Sequence, residues 1–341
     1  MKYLISPGFA KSGTTLLHAC LGRTSTFAVP RRKELKHFLG PRADLGGWVA
    51  EFGDVPEQTE VLFEASPQYL TASSPEVMAG VVARIVERVP DARFVLNLRH
   101  PTERAYSHYV HNVASHFARF GAGRFRPGDG REAVERPYTR TFEEALETEP
   151  HLTADLHARL VALTETVGPE RVKLFFLERD GRDFGTFYRD LCGWLGVRDD
   201  GAFRPGDAPR VHESAGAPVI LYGGEHGEPV DGIEVPRRTL VIVNGRRPTT
   251  VVRDVSDAEA RRVVAASGAW SFSMPADRMR GIYERHHKAR TEALLDYVSR
   301  RFPAETGVPD YGSWAFTDKV IDPVEPSAPV VRADLRRSAG T

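Results

Sequence analysis

Long apolar runs are missing from this chain. None approaches the roughly 18 consecutive residues that a membrane-spanning helix requires, and a strand-like segment starts directly at Lys2, so neither a signal peptide nor an anchor is expected. Cysteine is scarce, with two in 341 residues. Cys20 and Cys192 fall in helix-like stretches and make no disulfide framework, which suits a reducing compartment and a cytoplasmic location. An excess of either charge is also absent, because 46 Lys and Arg balance 46 Asp and Glu. No overall field then favours nucleic acid or an anionic membrane, and any preference for a polyanion must come from a local patch. No internal repeat or low-complexity block is evident. What remains is an ordinary globular composition, 41% hydrophobic and 27% charged, long enough to bury a sizeable core.

The most informative segment is PGFAKSGTT, Pro7 to Thr15. It keeps the GxxxxGK[ST] spacing of a phosphate-cradling loop but moves the lysine: Gly8 and Gly13 are correctly separated, Thr14 fills the lysine slot, and Lys11 lies inside the loop. A lysine after the second glycine normally reaches the β and γ phosphates of a triphosphate, and the next hydroxyl holds magnesium. This loop is therefore expected to bind a nucleotide phosphate without being built for ATP. KYLIS before it reads as a strand and TLLHACL after it as a helix. Backbone N–H groups and the positive end of that helix make an anion site, to which Thr14 and Thr15 add hydroxyls and Lys11 a point charge. The plainer alternative is a Gly-Ser turn before a core helix.

A second constellation follows RFVLNL, Arg93 to Leu98, an apolar β-rich run. Pro101 suits a first helical turn, so helix is predicted over Ala105 to Val113. Arg99 then leaves the carboxyl end of a strand and Ser107 sits on the next helix, a pair suited to a second, separate phosphate. Arg99 as the cap of a surface turn is the alternative.

These residues carry a family resemblance. PGFAKSGTT resembles the 5′-phosphosulfate loop of sulfotransferases that use 3′-phosphoadenosine 5′-phosphosulfate (PAPS), and LRHPTERAYSHY resembles their 3′-phosphate strand and helix. The likeness implies that Lys11, Ser12, Gly13, Thr14 and Thr15 hold the 5′ end of the donor, and Arg99 and Ser107 its 3′-phosphate. RRKELKHF, Arg31 to Phe38, is similar to a KExxxF-like stretch of heparan-type and bacterial carbohydrate sulfotransferases, in which the glutamate is the proposed general base; Glu34 is the matching position. FEASPQYL, Phe63 to Leu70, resembles the segment lining the acceptor cleft, with Glu64, Ser66 and Tyr69 in register and Ala65 where many members carry lysine.

Sulfuryl transfer passes through a loose, in-line transition state, by analogy with phosphoryl transfer, so positioning and electrostatics supply most of the rate. The resemblance implies that Lys11 stabilises the leaving oxygen and that one carboxylate or imidazole takes the acceptor proton. An unassisted glutamate titrates near about 4.3, so Glu34 would need burial or a donor partner to be tuned upward. His37 is the nearest competitor, since imidazole is the side chain suited to proton transfer near neutral pH. No metal is required. His108 and His111, three apart in SHYVHNVASHF, are second candidates for acceptor contact or proton transfer. Lys33 or Lys36 could meet the donor sulfate or an anionic acceptor.

Further on, helices are predicted over Pro75 to Arg88, Thr141 to Glu147, Ala154 to Val167 and Asp183 to Leu195, with Gly196 as a C-cap and a buried strand over Arg171 to Leu177. The strand-helix alternation predicts an α/β fold: a P-loop NTPase-like doubly wound parallel sheet flanked by helices, with a C-terminal insertion. The expected division is a PAPS-binding core over residues 1–200, an insertion over 201–273 near the acceptor site, a C-terminal helix over 274–321 completing the core, and a mobile tail over 322–341. The insertion holds two strand-like runs, Val219 to Tyr222 and Thr239 to Val243, and a helix over Asp257 to Ala265. Asp277 to Arg301 reads as one long helix whose ERHHKAR segment forms a solvated basic face; closure over the donor by that segment, or by Asn244, Gly245, Arg246 and Arg247, is the alternative.

The expected activity is transfer of sulfonate from PAPS to a hydroxyl of a carbohydrate or small metabolite, leaving adenosine 3′,5′-bisphosphate. The partners are then a small-molecule or glycan acceptor, with no nucleic acid and no membrane. A P-loop kinase using ATP and a catalytically silent nucleotide- or glycan-binding module are the competing readings.

Overall fold

The computed structural model describes residues 1–71, 74–118, 134–209, 219–230, 233–244, 247–267 and 273–320. Gly245, Arg246 and the tail from Asp322 lie outside the described residues. The chain divides into two compact units. Met1–Ala105, Thr153–Glu213 and Ile282–Ala315 form the first, and Tyr106–Leu152, Ser214–Gly281 and Phe316–Thr341 the second.

The first unit is built on five parallel strands, β1 (Lys2–Ser6), β2 (Phe27–Ala28), β3 (Val61–Ala65), β4 (Arg93–Leu98) and β5 (Val172–Phe176), in the order β2-β3-β1-β4-β5. Period-two alternation in these strands feeds two cores, one on each face of the sheet. Ile5, Leu62, Phe94, Leu96, Leu98, Leu174 and Phe176 point to one side. They pack there against α4 (Pro75–Arg88), α7 (Leu156–Val167) and α12 (Lys288–Arg301). Leu4, Val61, Phe63, Val95 and Phe175 point to the other, against α1 (Thr14–Leu21) and α9 (Phe184–Leu195). A sheet covered on both faces by crossover helices is the doubly wound α/β arrangement the sequence predicts.

Cys20 on α1 and Cys192 on α9 are both buried in the second of these cores as free thiols. Burial pushes Cys20 up to about 11 and Cys192 up to about 12, so neither is a ready nucleophile. Gly196 closes α9 at φ 63°, in the left-handed conformation that glycine adopts without penalty.

β1 and β4 are neighbours whose connections leave in opposite directions: β1 runs on to β2 on one side, and β4 to β5 on the other. That reversal opens a crevice at the carboxyl ends of the strands. The loops after Ser6, Ala65 and Leu98 emerge there, and they carry the residues singled out above.

The second unit contains an antiparallel sheet in the order β10 (Arg247–Val252), β9 (Leu240–Asn244), β6 (Val219–Tyr222), and a hairpin of β7 (Glu228–Val230) with β8 (Ile233–Val235). Helix α6 (Phe142–Thr148) begins with a capping box, in which the Thr141 hydroxyl accepts from the Glu144 N–H and the Glu144 carboxylate accepts from the Thr141 N–H. Its Phe142 meets Tyr106 of α5 (Pro101–Ala118) edge to face and Tyr109 at a tilt, at centroid separations of 5.5 and 5.3 Å. No helix among the described residues is long and apolar enough to cross a membrane.

The helix expected over Asp277 to Arg301 is interrupted. α11 (Ala276–Ile282) passes into a π turn over Tyr283–His287 before α12 begins. The wider turn carries His287 into the interior, at 4% exposure, so the segment is not uniformly a solvated face. Burial depresses His287 to about 3, and the charges of Arg104, His286, His100 and Arg290 add to the effect. A histidine depressed below its ordinary 6.5 contributes stability that is complete above that value and lost as pH falls toward the folded value. Between pH 6.5 and 5 this residue alone should remove about 2 kcal/mol. Urea unfolding at the two pH values should show that loss in the native chain and a smaller one in His287→Gln.

Candidate functional site

The loop after β1 is tied to the end of β4 rather than hanging free. Phe9 N–H donates to the Asn97 carbonyl at 3.0 Å, Asn97 N–H returns to the Gly8 carbonyl at 2.9 Å, and Ser6 Oγ donates to Asn97 Oδ1 at 2.7 Å. On the other side, Ser66 N–H reaches the Ser6 carbonyl at 3.0 Å and Leu70 N–H the Pro7 carbonyl at 3.0 Å. The loop thus has three strand ends as its frame.

At its far end Gly13 sits at φ 91°, and a Cβ there would lie 2.9 Å from Leu177 Cδ1 and 3.0 Å from a Phe175 ring carbon. Only glycine fits that turn. Gly13 is also the N-cap of α1 and has no side chain to satisfy the first N–H groups of the helix. Ser12 Oγ is fully buried and finds no hydrogen-bond partner among the described residues. Thr14 is buried and Thr15 half-buried at the same helix start. An uncapped helix N-terminus beside an orphaned buried hydroxyl fits an anion.

Lys11 occupies the bend of the loop in a left-handed conformation, φ 66°. Arg99 leaves β4 and turns back, its Nη1 donating to the Lys11 carbonyl at 3.1 Å. The Arg99 guanidinium also lies 3.6 Å from Glu103 on the following turn. Burial first, then the charges of Arg99 and Lys33, lower the Lys11 pKa from its ordinary value, and the Glu34 charge opposes them. A half-buried lysine with Arg99 and Lys33 among its neighbours makes this a positive site. Ser107 lies further along α5, half-buried, in the second unit.

Glu34 lies on the segment between β2 and α2 (Leu45–Ala50), at φ 64°. Its two oxygens are held separately: Lys33 Nζ donates to Oε1 at 2.7 Å and Gln68 Nε2 to Oε2 at 2.7 Å. Burial pulls its pKa up, but the Lys33 and Gln68 hydrogen bonds with the Lys33 and Lys36 charges outweigh it, and the net direction is down. The upward tuning considered for a general base is therefore not what this arrangement gives. His37 is engaged elsewhere. Its Nε2 lies 3.0 Å from the Asp44 carbonyl, which only accepts, so that nitrogen carries the proton.

Glu64, Ser66 and Tyr69 are interior residues, at 0%, 0% and 1% exposure. Glu64 receives Trp48 Nε1 at 2.8 Å, the Tyr69 hydroxyl at 3.1 and 3.2 Å, and the Ser66 hydroxyl. His108 and His111 belong to the second unit. The His108 ring stands 4.6 Å from that of His151, whose Nε2 is 3.4 Å from Glu149 Oε2.

Three participants were not singled out from sequence. Gln68 stands in the very segment compared with the acceptor cleft, and Asn97 is a polar residue inside an apolar run, so each left a trace. Trp48 left none, because its partner Glu64 is distant in the chain.

No protein-family model matches the chain. Over 121 residues, 33% of its length, it is 36% identical to bifunctional heparan sulfate N-deacetylase/N-sulfotransferase 2 of Bos taurus, and the Mus musculus protein of that name aligns equally well. The aligned part spans 13% of those curated relatives. Among solved structures, a sulfotransferase from Alicyclobacillus acidocaldarius superposes with TM-score 0.44 and 24% identity, covering 62% of this chain and 87% of that one. A mouse sulfotransferase complexed with PAP superposes with TM-score 0.34 and 14% identity, covering 59% and 60%. In sequence the chain therefore resembles the PAPS-dependent sulfotransferases, on the side of the heparan sulfate N-sulfotransferases.

Proposed function

We propose that this chain is a sulfotransferase that moves a sulfonate group from PAPS to a hydroxyl of a glycan or small-molecule acceptor. The observation that carries the reading is the positive pocket around Lys11, where a glycine-bounded helix start, an orphaned Ser12 hydroxyl and the Arg99 guanidinium converge beside the Glu34 carboxylate. The 36% identity to heparan sulfate N-deacetylase/N-sulfotransferases supports sulfonate transfer and favours a glycan.

Residues of the loop would hold the donor. Ser12, Thr14, Thr15 and the N–H groups opening α1 would take its 5′ end, and Arg99 its 3′-phosphate. PAPS supplies an activated sulfuryl group whose transfer leaves negative charge on the 5′-phosphate oxygen. Lys11 would meet that charge; its left-handed backbone within the loop and its cationic neighbours Arg99 and Lys33 support the assignment. Glu34 takes the acceptor proton. Because Lys33 and Gln68 hold it ionised, it waits as an anion at neutral pH and needs no further deprotonation. Lys33 serves both groups, neutralising Glu34 while adding to the field at Lys11.

Adenosine 3′,5′-bisphosphate at 100 times its Kd should stabilise the chain by about 2.7 kcal/mol in a thermal shift, with ATP and magnesium giving no shift. Stabilisation by ATP alone would make the chain a kinase instead. With PAPS and a desulfated heparan-type oligosaccharide, mass-resolved product should carry sulfonate. Lys11→Ala should cut kcat by roughly 10²–10³-fold, and Glu34→Gln by roughly 10²–10⁴-fold with bisphosphate affinity retained.

The lowered Glu34 pKa also fixes the sign of the pH dependence. The acid limb of kcat/KM should fall below the ordinary glutamate value of 4.5, and Glu34→His should move it upward toward about 6.5. An acid limb in the native protein near neutrality would remove Glu34 from the base role.

A further inference from the structure

The segment carrying Glu34 contains two left-handed residues, Glu34 at φ 64° and Lys36 at φ 58°, on either side of the buried Leu35. A conformation that β-carbon sterics disfavour persists only where the surroundings hold it. Two of its N–H groups are held by side chains from the segment that follows β3. Lys36 N–H donates to Ser66 Oγ at 3.0 Å, and Phe38 N–H donates to the Tyr69 hydroxyl at 3.2 Å.

Both hydroxyls are oriented by one carboxylate. Ser66 Oγ and the Tyr69 hydroxyl donate to Glu64, and Trp48 Nε1 occupies its second oxygen at 2.8 Å. With the Lys36 and Phe38 N–H groups donating to them, each hydroxyl turns a lone pair toward the segment and keeps its own proton to give, for which Glu64 is the acceptor in reach. Glu64 is fully buried at the penultimate position of β3, whose register with β1 is fixed across all five residues. The chain of contacts therefore runs from the rigid sheet through Glu64 and the two hydroxyls to the backbone on which Glu34 stands. Gln68, between Ser66 and Tyr69 in sequence, completes it by donating directly to Glu34 Oε2 at 2.7 Å.

We propose that Glu64 is a positioning residue of the transfer site: through Ser66 and Tyr69 it locks residues 34–38 in the conformation that holds the Glu34 carboxylate beside Lys11. This rests on the sulfotransferase reading only for what Glu34 does there. The role assigned to Glu64 is orientation from the interior, in place of contact with an acceptor. Its relation to the sheet accounts for an acidic residue at a buried strand position whose neighbours are Phe63 and Ala65.

Two measurements test it, and neither needs the acceptor. Amide hydrogen exchange should quicken tenfold or more at Phe38 in Tyr69→Phe and at Lys36 in Ser66→Ala. It should quicken at both in Glu64→Gln, where the amide NH₂ disturbs the orientation of the hydroxyls, with β1 amides unchanged. Calorimetric titration with adenosine 3′,5′-bisphosphate then reads the position of Glu34. Glu34→Gln, which removes a negative charge beside Lys11, should tighten binding several-fold in the native background and by a factor near one when combined with Tyr69→Phe. Unaltered exchange at both amides, or the same tightening in both backgrounds, overturns the proposal. Failure of the bisphosphate to bind any variant, with exchange quickened as expected, overturns the donor reading and leaves the ordering role of Glu64 standing.

Discussion

Lys11 and Arg99 are cations drawn into one partly buried place, and most of the first unit can be understood as what keeps them there. Arg99 donates to the carbonyl of Lys11 itself, so the two side chains share a neighbourhood that Coulomb repulsion alone would disperse. The restraint is backbone. Asn97 pins the loop to β4 with both its peptide groups and its side chain, while the segment after β3 pins it from the other flank. A sheet whose two faces are sealed by separate cores cannot yield to that repulsion without losing packed contacts on both sides. An incoming polyanion is thus welcomed by a field already present, with little rearrangement needed to create it.

The carboxylates nearby divide into two kinds by the same logic. Glu34, half-buried between Lys33 and Gln68, is kept ionised. Glu64 is driven the other way: burial raises its pKa, and the Ser66, Trp48 and Tyr69 donors offset only part of that. One carboxyl group faces the crevice with its charge intact, and the other is enclosed among neutral donors where it can direct hydroxyl groups.

The parallel sheet and its flanking helices were legible in the sequence because their signals are local. Alternating apolar residues in RFVLNL and RVKLFFL, the Gly8–Gly13 spacing and the Gly196 stop each report on a few neighbours along the chain. The contacts that shape the site are nonlocal, and the chain gives little warning of them. Nothing in FEASPQYL states that its glutamate points inward to meet Trp48, or that Gln68 reaches back 34 positions to Glu34. His37 looked available as a base because the Asp44 carbonyl that engages it is brought near only by the turn into α2. The π turn over Tyr283–His287 was hidden for a different reason. No proline marks it, and the run remains helix-compatible throughout, so an extra residue in one turn changes which histidine is buried without changing the pattern. The division into two units passes through α5, a continuous helix in which sequence periodicity has no break to show.

The backbone at Lys11, Glu34 and Lys36 has an implication for how this chain can be altered over generations. Left-handed geometry costs a side-chain-bearing residue on the order of 1 kcal/mol, and glycine or asparagine much less. Each of these positions could therefore relax by mutation, with a gain in robustness and a loss of chemistry. Selection on thermal endurance alone would erode such a crevice, and a descendant freed from turning over substrate would be expected to lose these side chains before it lost its sheet.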